Sequence, residues 1–198
     1  MLILILGVAL WWGAHLFKRL APARRAAMGE RGKGLVAAAL ILSVLLMVAG
    51  YRMADIGTVW WGPSAAMKGI NNLLVLIAVY LFAASGMKTR IGTQMRHPQL
   101  TGFALWAFAH LLPNGDLPSF VLFGGLLLWA LVEMAVINRS QPGWTRPPHR
   151  TVIRKEASAA IAEGRAVAVV DGRIVENLHV ETARKTLAKA AAIAAMNG

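Results

Sequence analysis

The sequence contains no cysteine. Disulfides, thiolate metal sites, iron–sulfur clusters and covalent C-x-x-C-H haem attachment are therefore excluded. Acidic residues are also scarce: nine Asp+Glu face 21 Lys+Arg, for a formal net charge of +12. Charged residues make up only 15% of the chain, whereas a soluble domain carries about 25%. Nor does it have the low hydrophobicity that intrinsic disorder needs, because 57% of its 198 residues are apolar. Mean hydropathy is +0.56. On a hydrophilic chain such a basic excess would suggest nucleic acid. On this one the placement of the charge decides its meaning.

Five apolar stretches stand out: Met1–Phe17, Leu35–Gly50, Ile70–Met87, Leu100–Leu112 and Phe120–Ile137. A membrane-crossing helix needs about 20 mostly apolar residues. The fourth stretch is short and depends on inward extension through Gln99 and Pro98, proline being well suited to a first helical turn. The first stretch is followed, not preceded, by Lys18, Arg19, Arg24 and Arg25. A cleaved signal has the opposite order, so a retained anchor is expected. Connection 18–34 holds six Lys/Arg and 88–99 holds three, with five more between Arg139 and Lys155. The alternate connections hold only Arg52 and Lys68. Because basic residues collect on cytoplasmic loops, this pattern predicts an all-α membrane bundle of about five spans. Its N-terminus is outside and its C-terminus cytoplasmic, in the inner membrane, with Trp60 and Trp61 near the outer interface. The basic excess is then assigned to topology and anionic lipid, and no nucleic-acid partner is expected.

Residues 141–153 read as a Pro-rich linker, and 154–198 as a small helix–hairpin–helix tail. Within the tail, Val167–Val170 and Arg173–Val175 flank Asp171-Gly172, a two-residue hairpin signal. Helices are expected over Arg154–Glu163 and Val180–Met196, with His149 and His179 solvated. No internal repeat stands out.

Polar residues inside a span are functional candidates by default. They are His15, His110 and Glu133, with His97 at the mouth of the fourth helix and weaker polarity at Ser43, Asn71, Asn72 and Ser85. A neutral imidazole can ligate a metal through either ring nitrogen. Without cysteine, haem ligation must come from His, Met or Tyr, and two histidines on facing helices suffice for a noncovalent b-type haem. The plain alternative is a histidine hydrogen-bonded to a neighbouring helix. At 1.5 Å per residue, His15 lies about 6 Å from the inner basic flank and His110 about 20 Å above Arg96. Depth alone thus pairs His15 with His97. Glu133 is either a hydrogen-bond partner of a histidine ligand or one half of an ion pair with a basic residue of the first loop. In Gly29-Glu30-Arg31-Gly32, an internal ion pair is expected.

Several motifs in order resemble the NnrU family of small bacterial membrane proteins. They are His15-Leu16 with Arg19, Gly29-Glu30-Arg31-Gly32, Arg96-His97-Pro98-Gln99-Leu100-Thr101-Gly102, Trp106, Ala109-His110-Leu111-Leu112, Asn114-Gly115-Asp116 and Leu122-Phe123-Gly124-Gly125. The likeness covers residues 1 to about 140. It implies a link to nitrite and nitric oxide reduction. The family is also similar to plant zeta-carotene isomerase, a membrane enzyme that uses b-type haem to isomerise a cis double bond. The resemblance implies haem ligation by His15 and His110, with His97 accessory; Trp106 and Glu133 are expected at the same cofactor site. This disagrees with the depth pairing. Arg96-His97-Pro98 followed by Gly102 also resembles isoprenylcysteine carboxyl methyltransferases. That family, however, has Tyr where Leu100 stands and an acidic motif where Arg139–Arg150 has no acid. A third reading is a non-catalytic accessory subunit of a membrane reductase.

Overall fold

The computed structural model describes residues 1–87 and 89–146, together with the backbone of 167–170 and 173–176. The chain is mostly helical. Helices α1 (Leu2–Leu20), α2 (Pro22–Ala27) and α3 (Gly29–Met53) come first, followed by strand β1 (Val59–Trp61) and helix α4 (Ala65–Gly86). After these come α5 (Arg90–Gln94), α6 (Pro98–Leu111), strand β2 (Gly115–Asp116) and a long helix α7 (Leu117–Ser140). Strands β3 (Val167–Val170) and β4 (Arg173–Glu176) end the description.

Local chemistry sets these boundaries. Pro22 cannot continue α1, because it lacks an N–H, and instead occupies the first turn of α2. Gly29, at φ +52°, makes the left-handed corner between α2 and α3. Ser64 Oγ accepts the Met67 N–H at 3.1 Å to open α4, and Thr89 Oγ1 accepts the Gly92 N–H at 3.2 Å to open α5. Pro98 opens α6, as the sequence suggests. Asp116 opens α7 by accepting the Ser119 N–H at 2.8 Å and the Ser119 hydroxyl at 2.9 Å. A π-helical segment, Phe120–Gly124, lies within α7.

Helices α1, α3, α4 and α7 are each long and apolar enough to cross a membrane. Helix α6, with 14 residues, spans only about 21 Å. The helices stand side by side in the order α3, α1, α7, α6, α4. Small residues bring them close, as membrane interfaces favour. A Cβ at Gly7 would lie 2.7 Å from the Met47 backbone nitrogen, and one at Gly102 would lie 2.6 Å from the Ala78 oxygen. The core gathers Leu4, Val8, Met47, Ala107 and Leu126, with Trp129, Ala104 and Ala130 adjoining. The outer faces of α3 and α4 present Ile41, Leu45, Leu73 and Leu76, all exposed. Aliphatic side chains turned outward along a bundle fit a lipid surrounding, not water.

The structure adds to the sequence reading in two places. The basic connection 18–34 is largely helical, because α2 is built mostly of Ala and Arg, which are good helix formers, and α3 already begins at Gly29. The Trp60–Trp61 segment is a strand, paired antiparallel with Gly115–Asp116. Helix α6 agrees with the sequence reading, being the short apolar run extended through Gln99 and Pro98. The expected hairpin is present, with Val170 opposite Arg173 and one more residue, Glu176, opposite Val167. The expected tail helices, His149 and His179 lie outside the described residues.

Candidate functional site

Helices α1 and α6 flank α7, and each carries one histidine within it. On α1, His15 Nδ1 lies 3.1 Å from the carbonyl oxygen of Trp11. On α6, His110 Nδ1 lies 2.9 Å from that of Trp106. Both contacts span four residues, one helical turn. The rings follow suit: His15 packs on Trp11 at 4.2 Å between centroids, and His110 on Trp106 at 4.8 Å. A Trp-x-x-x-His unit thus occurs twice, on two helices, in the same local conformation. With the proton on Nδ1 donated to the carbonyl, Nε2 is the lone-pair nitrogen of each imidazole. Among the described residues, hydrogen bonds reach both rings only at Nδ1. The spacing is visible in the sequence, at 11/15 and 106/110, and is the signal that a search for long repeats passes over.

Helix α7 supplies the walls. Trp129 is buried and packs on His15 at 4.5 Å, while Phe123 stacks on His110 at 4.8 Å with 27° between the ring planes. Phe103 of α6 joins the two halves, lying 6.0 Å from Trp11, 5.4 Å from Trp106 and 5.2 Å from Trp129. Trp11, Phe103 and Trp129 are not singled out by sequence reasoning, and Phe123 enters it only as part of the Leu122–Gly125 motif, since an apolar span gives no sign of which rings meet. The levels of Phe123 and Trp129 on α7, six residues apart, separate the two histidines by about 9 Å in depth.

Near the Trp60–Trp61 strand, the end of the α6 unit is closed. Trp61 Nε1 donates to the carbonyls of Leu111 and Leu112 at 3.2 and 2.9 Å. Asn114 Nδ2 donates to the His110 carbonyl at 2.7 Å, so the last turn of α6 has partners for its free carbonyls. Tyr51 of α3 reaches the Ser119 hydroxyl at 2.9 Å and ties α3 to the start of α7.

The other candidates lie toward the opposite, basic end. His97 precedes α6, and its Nε2 is 2.8 Å from Asn138 Oδ1. Its outer nitrogen is thus engaged, unlike those of His15 and His110. Glu133 is buried and reaches Arg19, with 3.8 Å between Oε1 and Nε. Of its two sequence readings, this is the ion pair with a basic residue of the first connection. Arg96 donates to the Gln141 carbonyl, and Glu30 pairs with Lys33 at 2.7 Å, the expected internal pair. Among the described residues, no cluster of three or more His, Asp or Glu could hold a bare metal ion.

Two imidazoles held through Nδ1 within an aromatic lining fit the donor chemistry of noncovalent haem. The Nε1 atoms of Trp11 and Trp129 are buried without a hydrogen-bond partner among the described residues, as is Glu133 Oε2. They give the neighbourhood of His15 unused polar capacity of the kind that a bound group takes up. Trp11, Phe103 and Trp106 stand in series between the two imidazoles. Ligation of one iron by both histidines therefore requires this column to swing aside, whereas ligation by either one alone leaves it in place.

Comparisons with known proteins give partial likenesses and one family match. A (3S)-malyl-CoA thioesterase of Cereibacter sphaeroides (strain ATCC 17029 / ATH 2.4.9) is 78% identical over 69 residues, 33% of this chain and 24% of the thioesterase. Its counterpart in strain ATCC 17025 / ATH 2.4.3 is 78% identical over 32 residues, 16% of this chain and 11% of that protein. The chain spans about a quarter or less of the length of these curated relatives. No solved structure matches it. The family model described as NnrU protein matches residues 3–182. That match covers nearly the whole chain, and the protein belongs to the NnrU family.

Proposed function

We propose that this protein is a multi-pass inner-membrane protein that binds noncovalent b-type haem, with His15 and His110 as the iron ligands once the Trp11–Phe103–Trp106 column swings aside to admit the cofactor. The observation that carries the reading is the repeated Trp-x-x-x-His unit, which holds both imidazoles through Nδ1. His97, whose Nε2 meets Asn138, is assigned to the helix entrance instead of the iron. Five crossings with the basic end cytoplasmic follow from the charge asymmetry, α6 being the short one and covered by α4 and α7. When bound, haem supplies an iron that exchanges one electron or takes up a small ligand. The chain's own part is then to fix the imidazole tautomer, exclude water with Trp11, Trp106, Phe123 and Trp129, and balance Glu133 with Arg19.

Family resemblance links this centre to nitrite and nitric oxide metabolism, with a membrane reductase complex as the partner. Redox-controlled cis–trans isomerisation is the variant suggested by the plant relative, and it rests on that analogy alone. The likeness to thioesterases covers too little of those enzymes to bring their reaction to this chain. The test is the absorption spectrum of detergent-purified protein from haem-replete cells, oxidised and then dithionite-reduced. An intense Soret band, with sharp α and β bands on reduction, is the expected result. Colourless protein rejects the reading.

A further inference from the structure

The Gly29-Glu30-Arg31-Gly32 motif is not used by the haem reading, yet it shapes a second site. At the basic end a crevice of about 480 Å³ opens between the last turn of α1, helix α2 and the end of α7. That volume lies within the range of about 300–1,000 Å³ typical of ligand pockets. Lys18, Arg19 and Arg25 supply its cations, and Ser140 and Gln141 its neutral polar groups. Among the described residues, no acid lines it.

Two of the three cations are held by the fold. Arg25 Nη1 donates to the Gly29 carbonyl at 3.2 Å. Gly32 makes room for that guanidinium and for Met28, since a Cβ there would stand 2.6 Å from Arg25 Nη1 and 2.7 Å from Met28 Cβ. The two glycines of the motif therefore seat Arg25: Gly29 through its carbonyl and its left-handed turn, Gly32 through its missing side chain. Arg19 is held by Glu133 on its inner side. Positive charges that merely set topology need neither a crevice nor a seat. Side chains already ordered lose less entropy when an anion arrives, and a guanidinium pairs with phosphate oxygens in a fixed geometry.

We infer that the crevice at Lys18, Arg19 and Arg25 binds the phosphate of an anionic phospholipid headgroup. The choice of lipid over free phosphate comes from position. The crevice lies where α1 and α7, two helices able to cross a membrane, both end, which is headgroup level. Basic pockets between spans are established lipid sites.

The test uses the full-length protein in detergent, with phosphatidylglycerol, phosphatidylcholine or inorganic phosphate added and bound lipid counted by native mass spectrometry. Retention of phosphatidylglycerol over phosphatidylcholine is expected. The double variant Lys18→Gln/Arg25→Gln should weaken it about 30-fold, at roughly fivefold per cation. Arg24→Gln/Arg31→Gln removes the same charge outside the crevice and should leave binding within about twofold. Gly32→Ala, which keeps every charge but unseats Arg25, should weaken binding as Arg25→Gln alone does. Equal losses in the two double variants would reduce the site to diffuse electrostatics and overturn the proposal. So would equal retention of phosphatidylcholine, full binding by Gly32→Ala, or displacement of the lipid by millimolar inorganic phosphate.

Discussion

Gly102→Ala probes how closely α6, which carries His110, lies against α4. Its new Cβ would stand 2.6 Å from the Ala78 carbonyl oxygen and 3.2 Å from both the Phe82 nitrogen and Leu81 Cβ. Ordinary contact begins at 3.4 Å, so α4 must retreat by about 0.8 Å, and backbone atoms cannot step aside as a flexible side chain can. Overpacking of this kind costs about 1–3 kcal/mol. The variant also gains nearly 1 kcal/mol of helix propensity, since alanine replaces glycine. Gly69→Ala on α4 is the matched control, because nothing lies within 4 Å of its Cβ and it keeps the propensity gain alone. At about 2–4 °C per kcal/mol for a chain of this size, Gly102→Ala should lose its fold about 2–12 °C below Gly69→Ala. The assay is the fraction of protein eluting as a single species from size exclusion in detergent after heating. If Gly102→Ala matches or exceeds Gly69→Ala, α4 and α6 do not meet along this glycine, and their close packing is refuted.

Arg19→Ala should destabilise by up to about 3 kcal/mol, because it strands the buried Glu133 without a partner. Adding Glu133→Gln should recover much of that loss in a double-mutant cycle followed by the same thermal assay. Asp116→Ala removes the cap that accepts both the N–H and the hydroxyl of Ser119. It should cost about 1 kcal/mol, and an unchanged midpoint would show that α7 does not depend on that cap.

Much of the architecture is legible in the sequence because hydrophobicity and charge placement are local signals. The long helices, the Pro98 start of α6 and the Val167–Glu176 hairpin all follow from runs, caps and turn residues. What the sequence hides depends on neighbours. Nothing in Val59–Trp61 announces its pairing with Gly115–Asp116, because a three-residue strand has no period to read. Phe103 and Trp129 look like any other apolar residues until α1, α6 and α7 are side by side. Glu133 shows the limit well: the sequence marks it as an unusual buried acid, but only the packing of α1 on α7 selects Arg19 as its partner. The histidines fall between these cases. Their Trp-x-x-x-His spacing is written in the chain, while their separation by an aromatic column is a tertiary fact. Depth along the helices pairs His15 with His97, but in the structure His97 instead meets Asn138.

The haem-to-protein ratio of purified protein, measured for wild type and for His15→Ala, His110→Ala and His97→Ala, tests ligation by His15 and His110 most directly. Haem is expected in wild type and His97→Ala, with loss or a marked fall in both His15→Ala and His110→Ala. Full haem in His15→Ala and His110→Ala, or its loss in His97→Ala alone, would contradict that ligation.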